Sequence, residues 1–177
     1  MNTEYEVAGA CKTDLPAITG LLRANSAARG GGLFGEYDIG KVTCLAFEKG
    51  AQAVVAKKQD RVVGVLFSKS PSTDQPAIIE AMLSAYRPAG PFYIYGPVCV
   101  AQDQRGAGLL ALLYSGIEKF REGEEAVLFI RNDNLASIRA HEKLQMRRAS
   151  QFQYGGYDYY VYRGAPSSMC DTPRKTR

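Results

Sequence analysis

The sequence lacks tryptophan, has a single histidine, His141, and spreads four cysteines along 177 residues without a Cys-x-x-Cys pair. One histidine and scattered thiols exclude the usual zinc constellations, so no metal site is expected. Unpaired cysteines are typical of free thiols in a reducing compartment, and we therefore expect a cytoplasmic protein. No signal-peptide pattern is recognisable and no apolar run approaches the ~20 residues of a membrane-spanning helix, so no membrane partner is expected.

The sequence also has no large excess of positive or negative charge. The formal net charge is +4, and two of these charges arise in the last seven residues, where three basic residues accompany Asp171. Because no basic run is interleaved with aromatic residues, a nucleic-acid partner is not expected. A composition of 46% apolar and 23% charged residues is typical of a globular protein. We expect one domain over residues 1–164 and a loosely held tail over 165–177.

Hydrophobic periodicity predicts strands that alternate with helices. Strands are predicted over 4–10, 52–58, 61–69, 92–100, 126–131, 150–154 and 157–163. Helices are predicted over 13–26, 38–49, 76–86 and 108–122, and from Asn134 onward. The fourth helix has an apolar stripe that should enter the core, formed by Leu109, Leu112, Leu113, Ile117 and Phe120. The triple glycine at 30–32 predicts a flexible segment over 27–35, and the loop over 27–37 is expected to shape the acceptor pocket.

The segment from Val100 to Leu110 combines a strand end, a turn rich in small residues and a helix start. Arg105 supplies a fixed positive charge, and Gly106 and Gly108 let the backbone approach a bulky ligand. The first N–H groups of the following helix have no acceptor within it, so the pattern predicts a phosphate or pyrophosphate site. It lacks the Lys-Ser or Lys-Thr pair of phosphate-loop NTPases and the three-glycine run of dinucleotide-binding folds.

This segment, Val100-Ala-Gln-Asp-Gln-Arg-Gly-Ala-Gly-Leu-Leu110, resembles the pyrophosphate loop of the GNAT superfamily of acyl-coenzyme A N-acyltransferases. A second stretch, over 126–146, resembles the later strand and helix of that family, in which an asparagine opens the helix. The two motifs stand in the family's order and cover about residues 92–147. The resemblance implies an α/β (α+β) fold with a mixed, mainly antiparallel central sheet flanked by helices, a splayed central strand pair, and acetyl-CoA as acyl donor.

The resemblance also implies which residues contact the donor. Gly96-Pro97 interrupts the strand over 92–100, and we interpret it as the break at which that strand splays from 126–131 and admits the pantetheine arm. A proline at an unpaired strand start is the alternative interpretation. The implied cofactor-binding residues are Val98, Cys99, Val100, Arg105, Gly106, Ala107, Gly108, Leu109, Asn134 and Ser137. The backbone groups of Val98 and Val100 are expected to be free.

The helix from Asn134 brings three polar residues to one face, because Ser137 and His141 follow at helical spacing. In similar proteins a tyrosine at the position of His141 gives a proton to the departing thiolate, so His141 is the candidate general acid. The alternative is a hydrogen-bonded histidine beside the core. Two departures from the family pattern are Leu110, where glycine or alanine is usual, and Gln145, which requires either a left-handed glutamine or a longer helix.

The general base has several candidates. Tyr95 and Glu80 are the preferred candidates, and the others are Tyr93, Glu36 and Asp38. A covalent acyl carrier at Cys99 is disfavoured, because strand cysteines are usually buried apolar residues. We therefore predict direct transfer of acetyl in a ternary complex to a small-molecule or peptide amine by a chain that could form a homodimer. The alternative function is an acyl-CoA-binding sensor or partner module without turnover.

Overall fold

The structure, a computed structural model, describes residues 4–33 and 35–166, so most of the predicted tail lies outside the described residues. The strands are β1 (Glu6–Gly9), β2 (Ala51–Lys58), β3 (Arg61–Lys69), β4 (Phe92–Val100), β5 (Glu125–Arg131), β6 (Arg147–Tyr154) and β7 (Tyr157–Gly164). The helices are α1 (Leu15–Ala24), α2 (Ile39–Phe47), α3 (Ala77–Ala85), α4 (Leu109–Glu118) and α5 (Leu135–Lys143).

All seven strands form one sheet in the order β1-β2-β3-β4-β5-β7-β6. Neighbouring strands are antiparallel except β4 and β5, which are parallel. The parallel pair follows from the chain path, because α4 lies between β4 and β5 and returns the chain to the same end of the sheet. The mixed, mainly antiparallel sheet expected from the sequence is confirmed.

Helices cover both faces of the sheet. On one face α4 inserts Leu109, Leu113 and Ile117 into the largest cluster of buried side chains, against which Ile138 of α5 and Leu144, just after α5, pack. On the other face α1 and α2 cover β2 and β3, and α3 packs Met82 and Leu83 over the start of β4 and β5. β4 and β5 each contain three consecutive buried residues and so supply apolar side chains to both faces, as an internal strand pair requires.

The central parallel pair separates after three residues. Phe92, Tyr93 and Ile94 pair with β5, and no later residue of β4 does so. On its other side β4 pairs with β3, with a register shift opposite Gly96-Pro97, where Leu66 faces Val98 but Ser68 faces Tyr95. The proline therefore stands at a bulge, which is where a residue without an N–H fits in a sheet. The predicted splay is confirmed, and this opening is called the strand gap below.

Some predicted boundaries were wrong. α4 ends at Glu118, four residues earlier than predicted, because the chain turns towards Gly123, which has a φ of 75°. Phe120 consequently leaves the helical stripe and is 51% exposed, whereas Tyr114 is buried in the core. Gln145 adopts the left-handed conformation, with a φ of 62°, so the first of its two predicted alternatives is confirmed.

The next findings concern metal-binding groups, membrane-spanning helices and cysteines. Among residues 4–33 and 35–166, no group of three or more His, Cys, Asp or Glu side chains is arranged to hold a metal ion. Within the same ranges no helix combines the length and apolar character needed to span a bilayer. Cys11, Cys44 and Cys99 are free thiols, and Cys170 lies outside the described residues.

Candidate active site

The edge of β4 that faces the strand gap has free backbone groups. The Ala101 N–H donates to the Val63 carbonyl at 2.8 Å, so Ala101 and Val63 form a hydrogen-bonded pair of the β3–β4 ladder. Because hydrogen-bonded and non-hydrogen-bonded pairs alternate in an antiparallel ladder, Val100 and Val98 direct their backbone groups away from β3. These groups therefore face the strand gap, as expected, and can pair with an extended ligand that enters it.

Cys99 does not share this arrangement. The same alternation directs its backbone groups towards Val65 on β3, and its side chain lies on the opposite face of the sheet, 3.9 Å from the Leu21 carbonyl of α1. Burial raises the pKa of the Cys99 thiol to about 12. Neither the backbone nor the side chain of Cys99 faces the gap, so the geometry does not support its place among the predicted cofactor-binding residues.

The phosphate loop, defined here as residues 105–109, follows β4 and opens α4. Gly106 and Gly108 have φ values of 81° and 79°, the left-handed region in which glycine avoids a Cβ penalty. Residues 105–108 are exposed, and Gly108 is the N-cap of α4. The amides of Ala107, Gly108 and Leu109 donate to no acceptor among the described residues. Unpaired amides at a helix start, beside an arginine, are the arrangement from which the sequence predicted an anion site.

Flanking contacts hold the phosphate loop in place. A short 3₁₀ turn, Gln102–Gln104, precedes it. Asp103 pairs with Arg61 at 2.5 Å, and Gln104 accepts a hydrogen bond from the Tyr5 hydroxyl at 2.8 Å. Arg105 itself donates from Nη2 to Asn25 Oδ1 at 2.7 Å, although the two residues are 80 positions apart. Contacts from Tyr5, from β3 and from the end of α1 therefore hold the loop in place.

The face of α5 brings together the three polar residues predicted to share it. Asn134 is the N-cap, with Oδ1 accepting from the Ser137 N–H at 3.1 Å, so its Nδ2 remains as the donor for a ligand. His141 Nδ1 lies 2.7 Å from the Ser137 carbonyl and 3.3 Å from the Ser137 hydroxyl. These contacts tie His141 to the helix one turn before it.

His141 is more buried than expected of an acid that meets a substrate. It is 2% exposed, and burial lowers its pKa below the usual value. Because a carbonyl can only accept, the hydrogen bond to Ser137 places a proton on Nδ1, and Nε2 then carries a proton only in the imidazolium form. Nε2 has no partner among the described residues. At neutral pH His141 is thus mainly a neutral imidazole whose Nε2 lone pair is unused.

Tyr95 lies against His141, with ring centroids 5.5 Å apart in an edge-to-face arrangement. Its hydroxyl is buried without a hydrogen-bond partner among the described residues, and burial raises its pKa far above the usual range. The same holds for the pKa of Tyr93. A phenol that stays protonated cannot accept a proton from an amine, so this environment disfavours Tyr95 as the base, and its catalytic role stays a prediction. It is a neutral hydrogen-bond donor beside His141.

Glu80 is also not brought to the strand gap by any described contact. It is exposed on α3, and its carbonyl accepts from the Ser84 hydroxyl at 2.8 Å within that helix. α3 packs over Ile94 and Val127, which belong to the paired beginning of β4 and β5.

Of the remaining candidates, Asp38 caps α2 by accepting from the Lys41 N–H at 2.7 Å. Glu36 is exposed and lines a cavity of about 330 Å³ with Arg23, Ser26, Ala28 and Arg29.

Residues 26–33, called the 26–33 loop below, include most of the segment 27–35 that was expected to be flexible. It is closed by hydrogen bonds, from the Ala27 N–H to the Leu33 carbonyl at 2.8 Å and from the Gly31 N–H to the Ser26 carbonyl at 2.9 Å. It lies between the two sides of the gap, because Asn25 at its start contacts Arg105 and a methyl group on Gly32 would be 3.6 Å from Asn134 Nδ2. Sequence reasoning missed Asn25, for which no local pattern gave a signal.

Comparisons with known proteins agree with this architecture. No protein-family model matches the chain, and no curated protein matches it in sequence. The fold is that of a GNAT-family acetyltransferase from Streptococcus agalactiae, with a TM-score of 0.73, 12% identity, and coverage of 94% of this chain and 98% of that one. Two other structures are similar to it at the level of fold.

The first is the ribosomal-protein-S18-alanine N-acetyltransferase of Escherichia coli, with a TM-score of 0.65, 14% identity, and coverage of 96% of this chain and 97% of that one. The second is yncA of Salmonella typhimurium, a putative acetyltransferase solved with its cofactor acetyl-CoA. It has a TM-score of 0.63 and 20% identity, and the match covers 95% of this chain and 97% of that one. The chain therefore has the GNAT fold over nearly its whole length.

Proposed function

We propose that this protein is an N-acetyltransferase that moves an acetyl group from acetyl-CoA directly to a primary amine in a ternary complex. The observation that carries the proposal is the strand gap, which presents the free backbone groups of Val98 and Val100 in line with the amides of the phosphate loop. An extended amide-containing arm that ends in a diphosphate matches both features. The neighbour yncA, solved with acetyl-CoA, has the same fold and supports the choice of donor.

In this mechanism, backbone N–H groups help to bind acetyl-CoA and polarise its thioester carbonyl. Amides of residues 107–109 and the Arg105 guanidinium hold the pyrophosphate, and Asn134 Nδ2 donates to the arm. An N–H of the 98–100 segment that faces the gap polarises the thioester carbonyl, because charge develops on that oxygen as the amine attacks. Holding both reactants in the gap removes most of the entropic cost of a bimolecular step.

Two proton transfers complete the reaction. The attacking amine loses a proton to Glu36, directly or through water, since Glu36 is an exposed carboxylate beside the 26–33 loop and burial raises the pKa of Tyr93 and Tyr95. His141 gives a proton from Nε2 to the leaving thiolate when it is in the imidazolium form. Because burial disfavours that form, the acid step contributes most at low pH.

The burial of His141 also favours a second candidate function, a domain that binds acyl-CoA without turnover. Both functions predict that coenzyme A binds, and only the enzyme releases thiol. We therefore expect calorimetry to detect coenzyme A binding and a thiol-release assay with acetyl-CoA to respond to at least one amine in a panel of small amines and peptide N-termini. Binding without release on any amine would favour the sensor. Absence of binding by folded protein would contradict both functions.

The pH dependence of turnover tests the role of His141. The pKa of His141 lies below its usual value of about 6.5, so less than about one tenth of it is protonated at pH 7.5. We expect the turnover of wild-type protein relative to His141→Phe to rise up to about tenfold for each pH unit as pH falls from 8 towards 6.5, because the imidazolium fraction rises in that proportion. Steady-state rates at saturating substrates measure this ratio.

A stability measurement accompanies the kinetic test. Because the folded-state pKa is lowered, the unfolded state binds the proton more readily, and the free energy of unfolding decreases as pH falls below about 6.5. The loss is at most about 1.4 kcal/mol per pH unit and stops at the folded-state pKa. Denaturant titrations of His141→Phe should lack this component. If both proteins have the same pH–rate profile, His141 is not the acid.

A further inference from the structure

Asn25, at the C-terminal end of α1, has all its hydrogen-bonding groups in use. It is 8% exposed. Its Nδ2 donates to the Leu21 carbonyl at 2.9 Å, and its backbone N–H donates to the Leu22 carbonyl at 3.1 Å. Its carbonyl accepts from the Leu33 N–H at 3.2 Å, and its Oδ1 accepts from Arg105 Nη2 at 2.7 Å. A side chain held in this way offers Arg105 a fixed acceptor.

The chemistry of this acceptor matters for the charge of Arg105. Arg61 and Arg163 lie beside carboxylates, which offset their charge. Arg105 is instead held by a neutral amide oxygen and forms no ion pair with any described residue. Its guanidinium is therefore oriented but not neutralised, and its remaining N–H groups are available to an anion.

We propose that Asn25 is a positioning residue for the donor substrate. It holds Arg105 beside the amides of the phosphate loop without neutralising it, and it ties that arginine to the 26–33 loop. This inference rests on the proposed function, because it assigns Asn25 a role through the pyrophosphate of coenzyme A. The arrangement lowers the entropic cost of ordering a long exposed arginine when the pyrophosphate binds.

The link to the 26–33 loop passes through the Asn25 backbone. The Leu33 N–H closes the loop on the Asn25 carbonyl, and Gly31 packs so tightly there that an added Cβ would lie 1.8 Å from that oxygen. A shift of Asn25 therefore moves the loop, and a shift of Arg105 is transmitted to the same residue. Binding of coenzyme A at Arg105 consequently stabilises the 26–33 loop, and the coupling is reciprocal.

A double-mutant cycle tests the proposal with coenzyme A as the probe. Arg105→Ala should weaken coenzyme A binding about tenfold, the effect of one charge-assisted hydrogen bond. Asn25→Ala should weaken it about threefold to fivefold, because Arg105 is retained but no longer oriented. In the Arg105→Ala background, Asn25→Ala should have no further effect on binding. The matched control is Arg29→Ala, which removes an exposed arginine of the 26–33 loop and should change binding by less than about twofold.

Hydrogen exchange provides a measurement that does not require the Asn25 variant to fold. Arg105 is exposed, so Arg105→Ala leaves α1 intact. In protein without ligand it should speed exchange of the Leu33 amide by at least about threefold, because the bond that restrains Asn25 is lost. Unchanged exchange, or an Asn25→Ala effect on binding that persists without Arg105, would overturn the proposal. If wild-type protein failed to bind coenzyme A, the proposed function would fail, and this proposal with it. If wild-type protein binds coenzyme A and one of the two contradicting results is found, only the proposal for Asn25 fails.

Discussion

Ala107→Glu is expected to abolish most activity while leaving the fold intact. Ala107 is exposed in the phosphate loop, between two glycines with positive φ, and its amide has no partner among the described residues. A carboxylate there competes for the amides and repels the pyrophosphate. Two unit charges 4 Å apart near a protein surface repel by about 4 kcal/mol before salt screening. We therefore expect kcat/KM for acetyl-CoA to fall about 100-fold, measured by thiol release with the best amine of the panel.

The matched control is Ala107→Gln, which has the same length and no charge. It should lose no more than about fivefold, because an amide side chain neither repels phosphate nor requires backbone movement. The deficit of Ala107→Glu should shrink as ionic strength rises, since the repulsion is screened at an exposed position. Equal deficits for the two variants at all salt concentrations would show that the loop does not bind an anion.

Gly31→Ala is expected to produce the second large effect. Its Cβ would lie 1.8 Å from the Asn25 carbonyl oxygen and 2.2 Å from the carbonyl carbon, and backbone atoms cannot move aside as a flexible side chain can. The 26–33 loop must therefore adopt another conformation and release the Asn25 carbonyl. We expect a loss of about 1–3 kcal/mol in the free energy of unfolding, as for other overpacked sites. Turnover should fall at least about tenfold, because the loop lies between Arg105 and Asn134.

The neighbouring glycine provides the control. At Gly32 an added methyl group would lie 3.6 Å from Asn134 Nδ2, an ordinary van der Waals distance. Gly32→Ala should therefore keep stability within about 0.5 kcal/mol and turnover within about twofold of wild type. Thermal unfolding and the thiol-release assay measure both variants. Similar losses in the two would mean that the loop is sensitive to any side chain and not to the contact at Asn25.

Local sequence was sufficient where structure depends on near neighbours. The phosphate loop follows from glycines, an arginine and a helix start within a few residues, and the shared face of Asn134, Ser137 and His141 follows from helical spacing alone. The residue that acts as the general base could not be predicted from local sequence. Tyr95 has a suitable functional group, but the packing of α4 and α5 buries it and keeps it protonated. Burial depends on which elements meet, and no single segment contains that information.

The sequence by itself determined the order of elements, the mixed sheet with its break at Gly96-Pro97, and the glycine turn with free amides at the start of α4. Only the tertiary structure decided that Val98 and Val100 face the strand gap while Cys99 faces β3, because that depends on the register with another strand. It also decided the burial of His141 and the contact between Asn25 and Arg105, which are 80 positions apart. Periodicity and turn chemistry act over a few residues, whereas such pairings are set by the packing of the whole chain.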